Sequence, residues 1–479
     1  MDVTIGLTPE GDVAKIGVGQ TIAERLARYS RNLSCRRLSP DVIHEVKRRL
    51  IDTFACALGG WKSTPARIAR EAARSVRLRS GATLLGSAWK TTPDLAAFAN
   101  GTAVRYLDFN DTYLSKEPAH PSDNIPAALA AAEAAGEGGK KLIEAIVLGY
   151  EIQCRLCDAA ALRPKGWDHV TYGALSTALV ASKLRGLSEV RTRHAVALAG
   201  TANCALRQTR VGALSMWKAA AFANAARNGL FAASLAALGM TGPSPIFEGE
   251  KGLMQIVSGP FDLPPLDPSG PFKILETYIK YYPVEYHAQS AVEAALRLRG
   301  KRPDVKWNGV ESVTVRTPAV SYEIIGSDPE KWHPKTRETA DHSLPYCVAA
   351  ALKDGEVGLQ QFDAGRIADR RLHSFMQRIR IVSDPALSAA YPEAIANIVE
   401  VKWKGEVYTE RINHPKGHPK NPMSDTEVEE KFHRLAGPLF SKRKIQTLLD
   451  QLWRLEKARS IGEILAHFKI RRKGRRKCQ

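Results

Sequence analysis

The first half of the 479-residue chain contains a long series of apolar side chains spaced three and four residues apart. Such spacing places the apolar side chains on one face of an α-helix. Alanine, the residue with the highest helix propensity, is frequent in these segments. We therefore predict a large all-helical domain, with helices over residues 22–29, 40–58, 64–76, 93–104, 125–135, 142–160, 171–184, 191–202 and 216–237.

The pattern changes after residues 239–271, where Gly and Pro cluster and indicate a domain junction. Alternating apolar and polar residues then predict β-strands, with helical segments among them and after them. The predicted strands cover residues 310–316, 379–382, 398–403 and 407–412, the last two joined by a turn at Lys404 and Gly405. The predicted helices cover residues 288–299, 343–353, 360–368, 425–436, 441–453 and 461–468.

Together these patterns predict a mainly α-helical protein with a smaller α+β domain. We assign residues 1–270 to the all-helical domain and residues 271–412 to the α+β domain. Residues 413–468 are predicted to form C-terminal helices that pack back on the helical domain. Residues 469–479 are predicted to form a basic, disordered tail.

The net charge of +19 is concentrated at one end of the chain. Seven of the 12 residues from 468 to 479 are Lys or Arg, which leaves a net charge of +12 on the rest. Such a tail is usually solvated, and its functional alternative is binding to RNA or to a membrane surface. Few aromatic residues accompany the tail, so nucleic acid is not the expected partner. The remaining charge suits an enzyme that attracts a polyanionic small molecule.

Several protein classes are excluded by what the sequence lacks. No apolar run reaches the roughly 18 to 20 residues that span a bilayer, so no membrane association is expected. The first 20 residues lack a basic start followed by an apolar core, which argues against a secretory signal and for a cytoplasmic protein. The sequence contains no nucleotide-binding glycine motif, zinc-protease motif or hydrolase nucleophile motif.

The seven cysteines are an odd number spread through a long chain, which is typical of a reducing compartment. Cys154 and Cys157 form a C-x-x-C pair within a predicted helix. A zinc or iron–sulfur site needs more thiolates or imidazoles than this pair offers. We interpret both cysteines as small buried side chains.

The densest group of polar residues is LDFNDTYLSKEPAHPSDN, residues 107–124, which lies between two predicted helices. Rigid helices on both sides make such a loop a suitable place for catalytic residues. His120 can exchange a proton near neutral pH, and Asp108 and Thr112 lie close to it in sequence. On residue chemistry alone, an ordinary surface turn with helix caps explains the segment equally well.

A second group leads into the predicted helix over residues 216–237. Arg207, Arg210 and Lys218 bring three cations next to apolar residues, which favours binding of carboxylates over a plain solvated face. Weaker candidates are Lys280, His169 and His287. Asp341 and His342 also precede a predicted helix, where Asp341 or Ser343 can serve as a cap. Taken singly, each of these histidines is interpreted as structural.

These segments, in this order, resemble the MmgE/PrpD family. The resemblance covers residues 22–465 and rests on collinear strings rather than on any one motif. The strings are LDFNDTYLSKEPAHPSDN, KGWDHVTYGALS, ALRQTRVGALSMWKAAAFANAARNG, GMTGPSPIFEGEKG, KYYPVEYHAQSAVEAAL, TADHSLPYCVAAALKDGE and NHPKGHPKNPMS. The basic tail is not part of the resemblance.

The resemblance implies a large all-α domain with an α+β lid, a homodimer, and an active site in the cleft between the domains that needs no metal and no cofactor. It also implies catalytic roles for Asp108, Thr112 and His120 in the loop, for Lys218 in the S-M-x-K stretch and for Lys280 in the K-x-Y-P motif. Arg207, Arg210, His169 and His287 are the expected substrate-binding residues.

The implied reaction is loss of water from the tricarboxylate 2-methylcitrate, giving 2-methyl-cis-aconitate in propionate catabolism through the methylcitrate cycle. His120 is the expected proton-transfer residue, and Asp108 is expected to orient it. Decarboxylation of cis-aconitate, or another lyase or isomerase reaction on a related tricarboxylate, is the alternative within the family. An inactive homologue that binds nucleic acid through its basic tail is the alternative of a different class.

Overall fold

The computed structural model describes residues 20–470. The predicted basic tail lies outside the described residues from position 471 onward. Within residues 20–470, no helix is both long enough and apolar enough to cross a membrane.

The first half of the chain is helical, and each helix predicted there is confirmed. Several of these helices begin where the sequence offers a cap. The Thr21 hydroxyl, for example, accepts a hydrogen bond from the Glu24 amide, and the Glu24 carboxylate accepts one from the Thr21 amide. The helices are α1 (Ile22–Asn32), α2 (Pro40–Gly60), α3 (Thr64–Ala73), α4 (Pro93–Arg105), α5 (Ile125–Ala134), α6 (Gly139–Ala159), α7 (Val170–Leu184), α8 (Glu189–Ala202) and α9 (Trp217–Ala237).

Helix α9 lies at the centre of this domain and packs against α4, α7 and α8. Small residues allow the close approach of α7 and α9: a Cβ at Gly229 would lie 2.1 Å from the Thr177 hydroxyl and 2.6 Å from the Ala174 carbonyl. The alanine-rich pattern of the sequence therefore serves helix–helix packing as well as helix propensity. Cys154 and Cys157 lie buried on α6 as free thiols, with their pKa values raised by burial.

The second half contains a four-stranded sheet in the order β4-β3-β5-β6. Its strands are β3 (Ser312–Thr317), β4 (Ile379–Ser383), β5 (Asn397–Trp403) and β6 (Glu406–Ile412). The predicted hairpin of β5 and β6 is confirmed, with Trp403 opposite Glu406 across the Lys404–Gly405 turn. β3 pairs with β4 in parallel, a neighbour relation that the sequence pattern did not indicate. The short strands β1 (Ala82–Thr83) and β2 (Lys90–Thr91) in the helical domain were also not predicted.

The predicted helix over residues 360–368 is interrupted at Asp363, where the backbone is extended. The remaining predicted helices are confirmed, and five further short helices occur. The helices of this half are α10 (Gln289–Lys301), α11 (Ala319–Ile325), α12 (Pro329–Trp332), α13 (Arg337–Ala340), α14 (Leu344–Asp354), α15 (Ala364–Ile367), α16 (Arg370–Met376), α17 (Pro385–Ser388), α18 (Asp425–Ala436), α19 (Lys442–Trp453) and α20 (Ile461–His467).

Buried apolar side chains form two main cores. One takes its members from residues 22–279 and 423–468, and the other from residues 284–412. Helix α18 contributes to the first core by packing along α2. The chain thus crosses from the helical core to the α+β core near residue 280 and returns after residue 412.

One buried lysine ties the returning helix to this crossover. The ammonium of Lys431 on α18 donates to the carbonyls of Phe109 at 2.7 Å and Lys280 at 2.8 Å. The same ammonium lies 2.6 Å from a carboxylate oxygen of Asp52 on α2, and both side chains are buried. Lys431 therefore fixes the backbone at Phe109, next to Asp108, and at Lys280.

We expect Lys431→Met to lower the free energy of unfolding by about 3–5 kcal/mol, because it leaves the Asp52 carboxylate buried without its cation. Urea unfolding followed by circular dichroism measures this loss. Lys442→Met, which removes an exposed lysine at the start of α19, is the matched control and should change the stability by less than about 0.5 kcal/mol. Equal effects of the two substitutions would contradict the role given to Lys431.

Candidate active site

Asp108 lies at the centre of the densest group of buried charges. It follows the end of α4 and has a left-handed backbone conformation with φ of 50°, which is uncommon for a residue other than glycine. Its carboxylate accepts hydrogen bonds from the Arg105 guanidinium and, at 3.0 Å, from the Lys280 ammonium. Lys280 also donates to the Asp108 carbonyl at 2.9 Å. These bonds hold the strained residue in place.

Lys218 at the start of α9 joins this group to the α+β domain. Its ammonium donates to the Asp341 carboxylate at 2.8 Å and lies 3.1 Å from Nδ1 of His342. It is 3.8 Å from the second carboxylate oxygen of Asp108. We call Arg105, Asp108, Lys218, Lys280 and Asp341 the ionic cluster; all five are buried and they come from both cores.

The ionic cluster keeps its carboxylates charged despite their burial. Burial raises the pKa of Asp108, but the positive charges of Arg105, Lys280 and Lys218 outweigh it and hold the pKa well below its usual range. Burial likewise raises the pKa of Asp341, and Lys218 with His342 lowers it below its usual value. Burial lowers the pKa of Lys280, an effect that Asp108 opposes.

His120 contacts the ionic cluster through Arg105. Its Nδ1 lies 2.7 Å from the Asp111 carbonyl, which only accepts, so Nδ1 carries the hydrogen. Its Nε2 lies 2.8 Å from Nη2 of Arg105, which only donates, so Nε2 holds a lone pair. The Thr112 hydroxyl is 3.1 Å from Nδ1. Burial and the charges of Arg105 and Lys280 hold the pKa of His120 well below its usual value, so the ring is neutral at pH 7.

A second imidazole lies beside His120. The ring centroids of His120 and His169 are 5.7 Å apart, with the rings arranged edge to face. Nδ1 of His169 lies 2.8 Å from Asp168, whose other carboxylate oxygen accepts from Arg210 at 2.9 Å. Burial and the nearby arginines lower the pKa of His169 to about 4, although Asp168 opposes them. Arg210 is thus neutralised by Asp168.

Two further cations show no ion pair or side-chain hydrogen bond within residues 20–470. Arg207 is half-buried, and burial lowers its pKa. Lys331 on α12 is only 1% exposed, and burial together with the charge of Lys218 lowers its pKa. A buried cation without a counter-ion is costly, so these two side chains suit an anionic ligand.

The structure thus brings together Asp108, Thr112, His120, Lys218 and Lys280, the residues predicted as catalytic. Of the predicted substrate-binding residues, His169 lies beside His120, and Arg210 pairs with Asp168 next to His169. His287 is buried and bonded to Glu285, with 2.9 Å between Nδ1 and the carboxylate, and it makes no hydrogen bond to the ionic cluster. Its link to the cluster is indirect, since the Glu285 amide donates to the Asp341 carbonyl at 2.8 Å.

Sequence reasoning missed Arg105 and Lys331 and interpreted Asp341 and His342 as structural. Ser343 is the residue that caps α14, accepting from the Tyr346 amide at 3.1 Å, and Asp341 is free to pair with Lys218. The signal for Arg105 was its spacing of three residues from Asp108, which allows an ion pair at the end of a helix.

Asp108, Asp341 and His342 place three donor atoms within 4.8 Å of one another, as a metal site would. Two ammonium groups already contact these donors, Lys218 at 2.8 Å from Asp341 and Lys280 at 3.0 Å from Asp108. A divalent cation at this position would meet strong repulsion from both lysines. The arrangement therefore favours binding of anions over binding of a metal ion.

Comparison with known proteins assigns the chain to a family. A family model described as the MmgE/PrpD N-terminal domain matches residues 24–266, and one described as the MmgE/PrpD C-terminal domain matches residues 282–455. The chain belongs to the MmgE/PrpD family. The ionic cluster draws Arg105, Asp108 and Lys218 from the first matched domain and Asp341 from the second, with Lys280 between them.

Members of the MmgE/PrpD family with two activities match the chain over most of its length. The 2-methylcitrate dehydratase of Cupriavidus necator is 30% identical over 454 residues, covering 88% of this chain and 92% of the relative. That of Escherichia coli is 28% identical over 396 residues, covering 78% and 81%. The cis-aconitate decarboxylase of Homo sapiens is 26% identical over 455 residues, covering 91% and 92%. The predicted family and the mainly helical two-domain fold are confirmed, and the chain is an enzyme similar to 2-methylcitrate dehydratases.

We expect the protein to lose stability as the pH falls from 6.5 towards 4, in part because of His342. Burial and the charge of Lys218 lower the pKa of His342 to about 4. Its pKa in the unfolded chain is about 6.5, so the stabilising contribution is complete above pH 6.5 and is lost as the pH falls through 4. His342→Gln should remove about 3 kcal/mol of this pH dependence.

Unfolding free energies of the wild type and the variant between pH 7 and pH 4 measure this difference. His333→Gln alters an exposed histidine of the same domain and should leave the pH dependence unchanged. If H342Q and the wild type lose stability in parallel, His342 is not a buried neutral imidazole.

Proposed function

We propose that the protein is a lyase that dehydrates 2-methylcitrate to 2-methyl-cis-aconitate by acid–base elimination without a metal ion. The observation that carries this proposal is the excess of buried positive charge at the ionic cluster. Three cations surround Asp108 and Asp341 there, with Asp123 3.8 Å from Arg105, and Lys331 near Lys218 adds a cation without an ion pair among the described residues. A tricarboxylate supplies the negative charge that this arrangement lacks.

Elimination of water from such a substrate breaks a C–H bond next to a carboxylate and a C–O bond on the neighbouring carbon. In our proposal, Nε2 of His120 takes the proton, and the electron pair of the C–H bond forms the new double bond. The negative charge that develops on the carboxylate in the transition state is stabilised by Lys280 and Arg207. Asp108 orients the cations around it, and the Thr112 hydroxyl is placed to bind substrate oxygen.

The departing hydroxyl must receive a proton to leave as water. The Lys218 ammonium is the donor that we propose, because it lies at the centre of the ionic cluster, 2.8 Å from Asp341 and 3.1 Å from Nδ1 of His342. His342 is unprotonated at pH 7 because its pKa is about 4. Its Nδ1 lies 2.7 Å from the Asp341 carboxylate, which only accepts, so Nδ1 carries the hydrogen and His342 orients Asp341 beside Lys218.

Decarboxylation of cis-aconitate is the second candidate, supported by the decarboxylase relatives that align with about nine-tenths of the chain. That reaction also needs cations around carboxylates, but it releases carbon dioxide rather than water. The geometry of the ionic cluster suits both reactions, and the product distinguishes them.

The test is an assay of purified, chelator-treated protein with 2-methylcitrate, citrate and cis-aconitate. We expect ultraviolet absorbance of a conjugated product to rise with 2-methylcitrate, without release of carbon dioxide. His120→Gln should lower kcat by about 10²–10⁴-fold while the protein stays folded. His373→Gln, which changes a histidine on α16, is the control and should retain activity.

Release of carbon dioxide from cis-aconitate without dehydration would replace our proposal with the decarboxylase reaction. Activity that the chelator abolishes and iron restores would overturn the metal-independent mechanism. Normal turnover by a folded H120Q protein would remove His120 from the reaction.

We also propose that the protein acts as a homodimer. Trp217 and Phe231 lie on α9 and Leu238 directly follows its last residue. The spacings of 14 and seven residues place the three along one side of the helix. They are 47%, 56% and 87% exposed. Such an apolar stripe on a central helix is typical of a protein–protein interface, and a twofold axis would let it pack against its own copy. The buried free thiols support the further proposal of a cytoplasmic location.

The double variant Phe231→Asp, Leu238→Asp should convert the dimer to a monomer, because four carboxylates would meet across the axis. Analytical ultracentrifugation measures the mass. Val407→Asp, at a 59% exposed position on β6, is the control and should remain dimeric. A monomeric wild type, or a dimer that survives both aspartates, would contradict an interface at the α9 stripe.

A further inference from the structure

The hydrogen bonds of His120 leave it without a free lone pair. Its Nδ1–H donates to the Asp111 carbonyl at 2.7 Å, and its Nε2 accepts from Nη2 of Arg105 at 2.8 Å. A nitrogen whose lone pair accepts a hydrogen bond cannot take a proton until that bond breaks. Arginine stays charged at all working pH values and does not give up its own proton. In this arrangement His120 is a capped base.

Arg105 makes side-chain hydrogen bonds to two partners, Asp108 and His120. Nη1 pairs with the Asp108 carboxylate, and Nε lies 3.8 Å from the Asp123 carboxylate. Only Nη2 is given to a neutral group, the imidazole of His120. A bond from guanidinium to carboxylate adds the attraction of opposite charges, which a bond to a neutral imidazole lacks. The bond to His120 is therefore the weaker of the two and the one that an incoming carboxylate can replace.

The exposure of His120 agrees with replacement of the Arg105–His120 hydrogen bond by an incoming carboxylate. Arg105 is 3% exposed and Asp108 is fully buried, whereas His120 is partly exposed. An anion that enters the site thus meets the Arg105–His120 bond before it reaches the bond between Arg105 and Asp108.

We propose that a substrate carboxylate takes the Nη2 donor of Arg105 and so uncaps His120 for proton abstraction. The step exchanges one hydrogen bond for another, and no covalent bond changes. Arg105 then binds the substrate directly, and the base becomes available only when a carboxylate occupies the site. This inference rests on the function proposed above for the role of His120 as the base, but the exchange itself requires only a bound carboxylate.

Four charged or titratable groups from different elements face His120: Arg105 on α4, Lys280 from the crossover between the cores, Asp108 from the loop and His169 before α7. Burial lowers the pKa of His120, and the charge of Arg105 lowers it further. When a carboxylate neutralises Arg105, the pKa of His120 rises towards its usual value. Binding of the anion should therefore be accompanied by proton uptake at His120.

The experiment uses tricarballylate, a tricarboxylate without the hydroxyl group, which cannot lose water. Isothermal titration calorimetry at pH 6.5, in two buffers of different ionisation enthalpy, gives the number of protons taken up on binding. The wild type should take up more protons than the His120→Gln variant. Proton uptake by this variant comes only from the ligand and from groups other than His120. Arg105→Met should match H120Q in proton uptake and bind about tenfold more weakly, since it lacks the charged donor.

Equal proton uptake by the wild type and H120Q would overturn the proposal, as would extra uptake that R105M retains. If R105M fails to fold, Arg105→Lys keeps the cation at this position. Its ammonium lacks the fork that serves two carboxylates at once, so the affinity for tricarballylate should still fall about tenfold. Arg70→Met removes a buried arginine of α3 that stacks on Trp61. This variant should bind tricarballylate like the wild type.

These outcomes are separate from those of the activity assay. If the protein dehydrates 2-methylcitrate but shows no proton uptake at His120, the proposed function stands and the proposed exchange at Arg105 is wrong. If the protein shows this proton uptake but no dehydratase activity, the proposed exchange at Arg105 stands, and the carboxylate substrate is a different one.

Discussion

The organisation of the site depends on the carboxylate of Asp108, which is buried without exposure to solvent and held by cations from three parts of the chain. Arg105 reaches it from the end of α4, Lys280 from the crossover between the two cores, and Lys218 from the start of α9. A buried carboxylate is costly unless its hydrogen-bonding capacity is filled. The cations around Asp108 fill this hydrogen-bonding capacity. They also place several positive charges close together, as binding of a polycarboxylate would require.

The same pairs connect the two cores. Lys218 belongs to the helical domain and Asp341 to the α+β domain, so their ion pair crosses between the matched family domains. Lys431 holds the backbone at Phe109 and Lys280 from the returning helix α18. The C-terminal helices therefore do more than complete the first core, since they fix the two segments that carry Asp108 and Lys280. Local strain at Asp108 persists because these contacts surround it.

Most of the fold could be predicted from the sequence because its helices are long and strongly periodic. The cap at Ser343 also marked a helix start correctly. The parallel pairing of β3 with β4 could not be predicted, since alternation identifies a strand but not its neighbour. The short helices α11 to α13, α16 and α17 are held by their surroundings more than by their own pattern, and only the complete structure defines them.

The sequence by itself determined the family, the mainly helical class and the identity of the loop, lysine and histidine residues that meet at the site. These follow from local periodicity and from the order of motifs along the chain. Only the tertiary structure decided which charges touch, because ion pairs such as Lys218 with Asp341 join residues 123 positions apart. It also decided the state of His120: its neighbours Asp111 and Arg105 set the tautomer and occupy the lone pair, since the partners of a buried imidazole and not its identity govern its protonation.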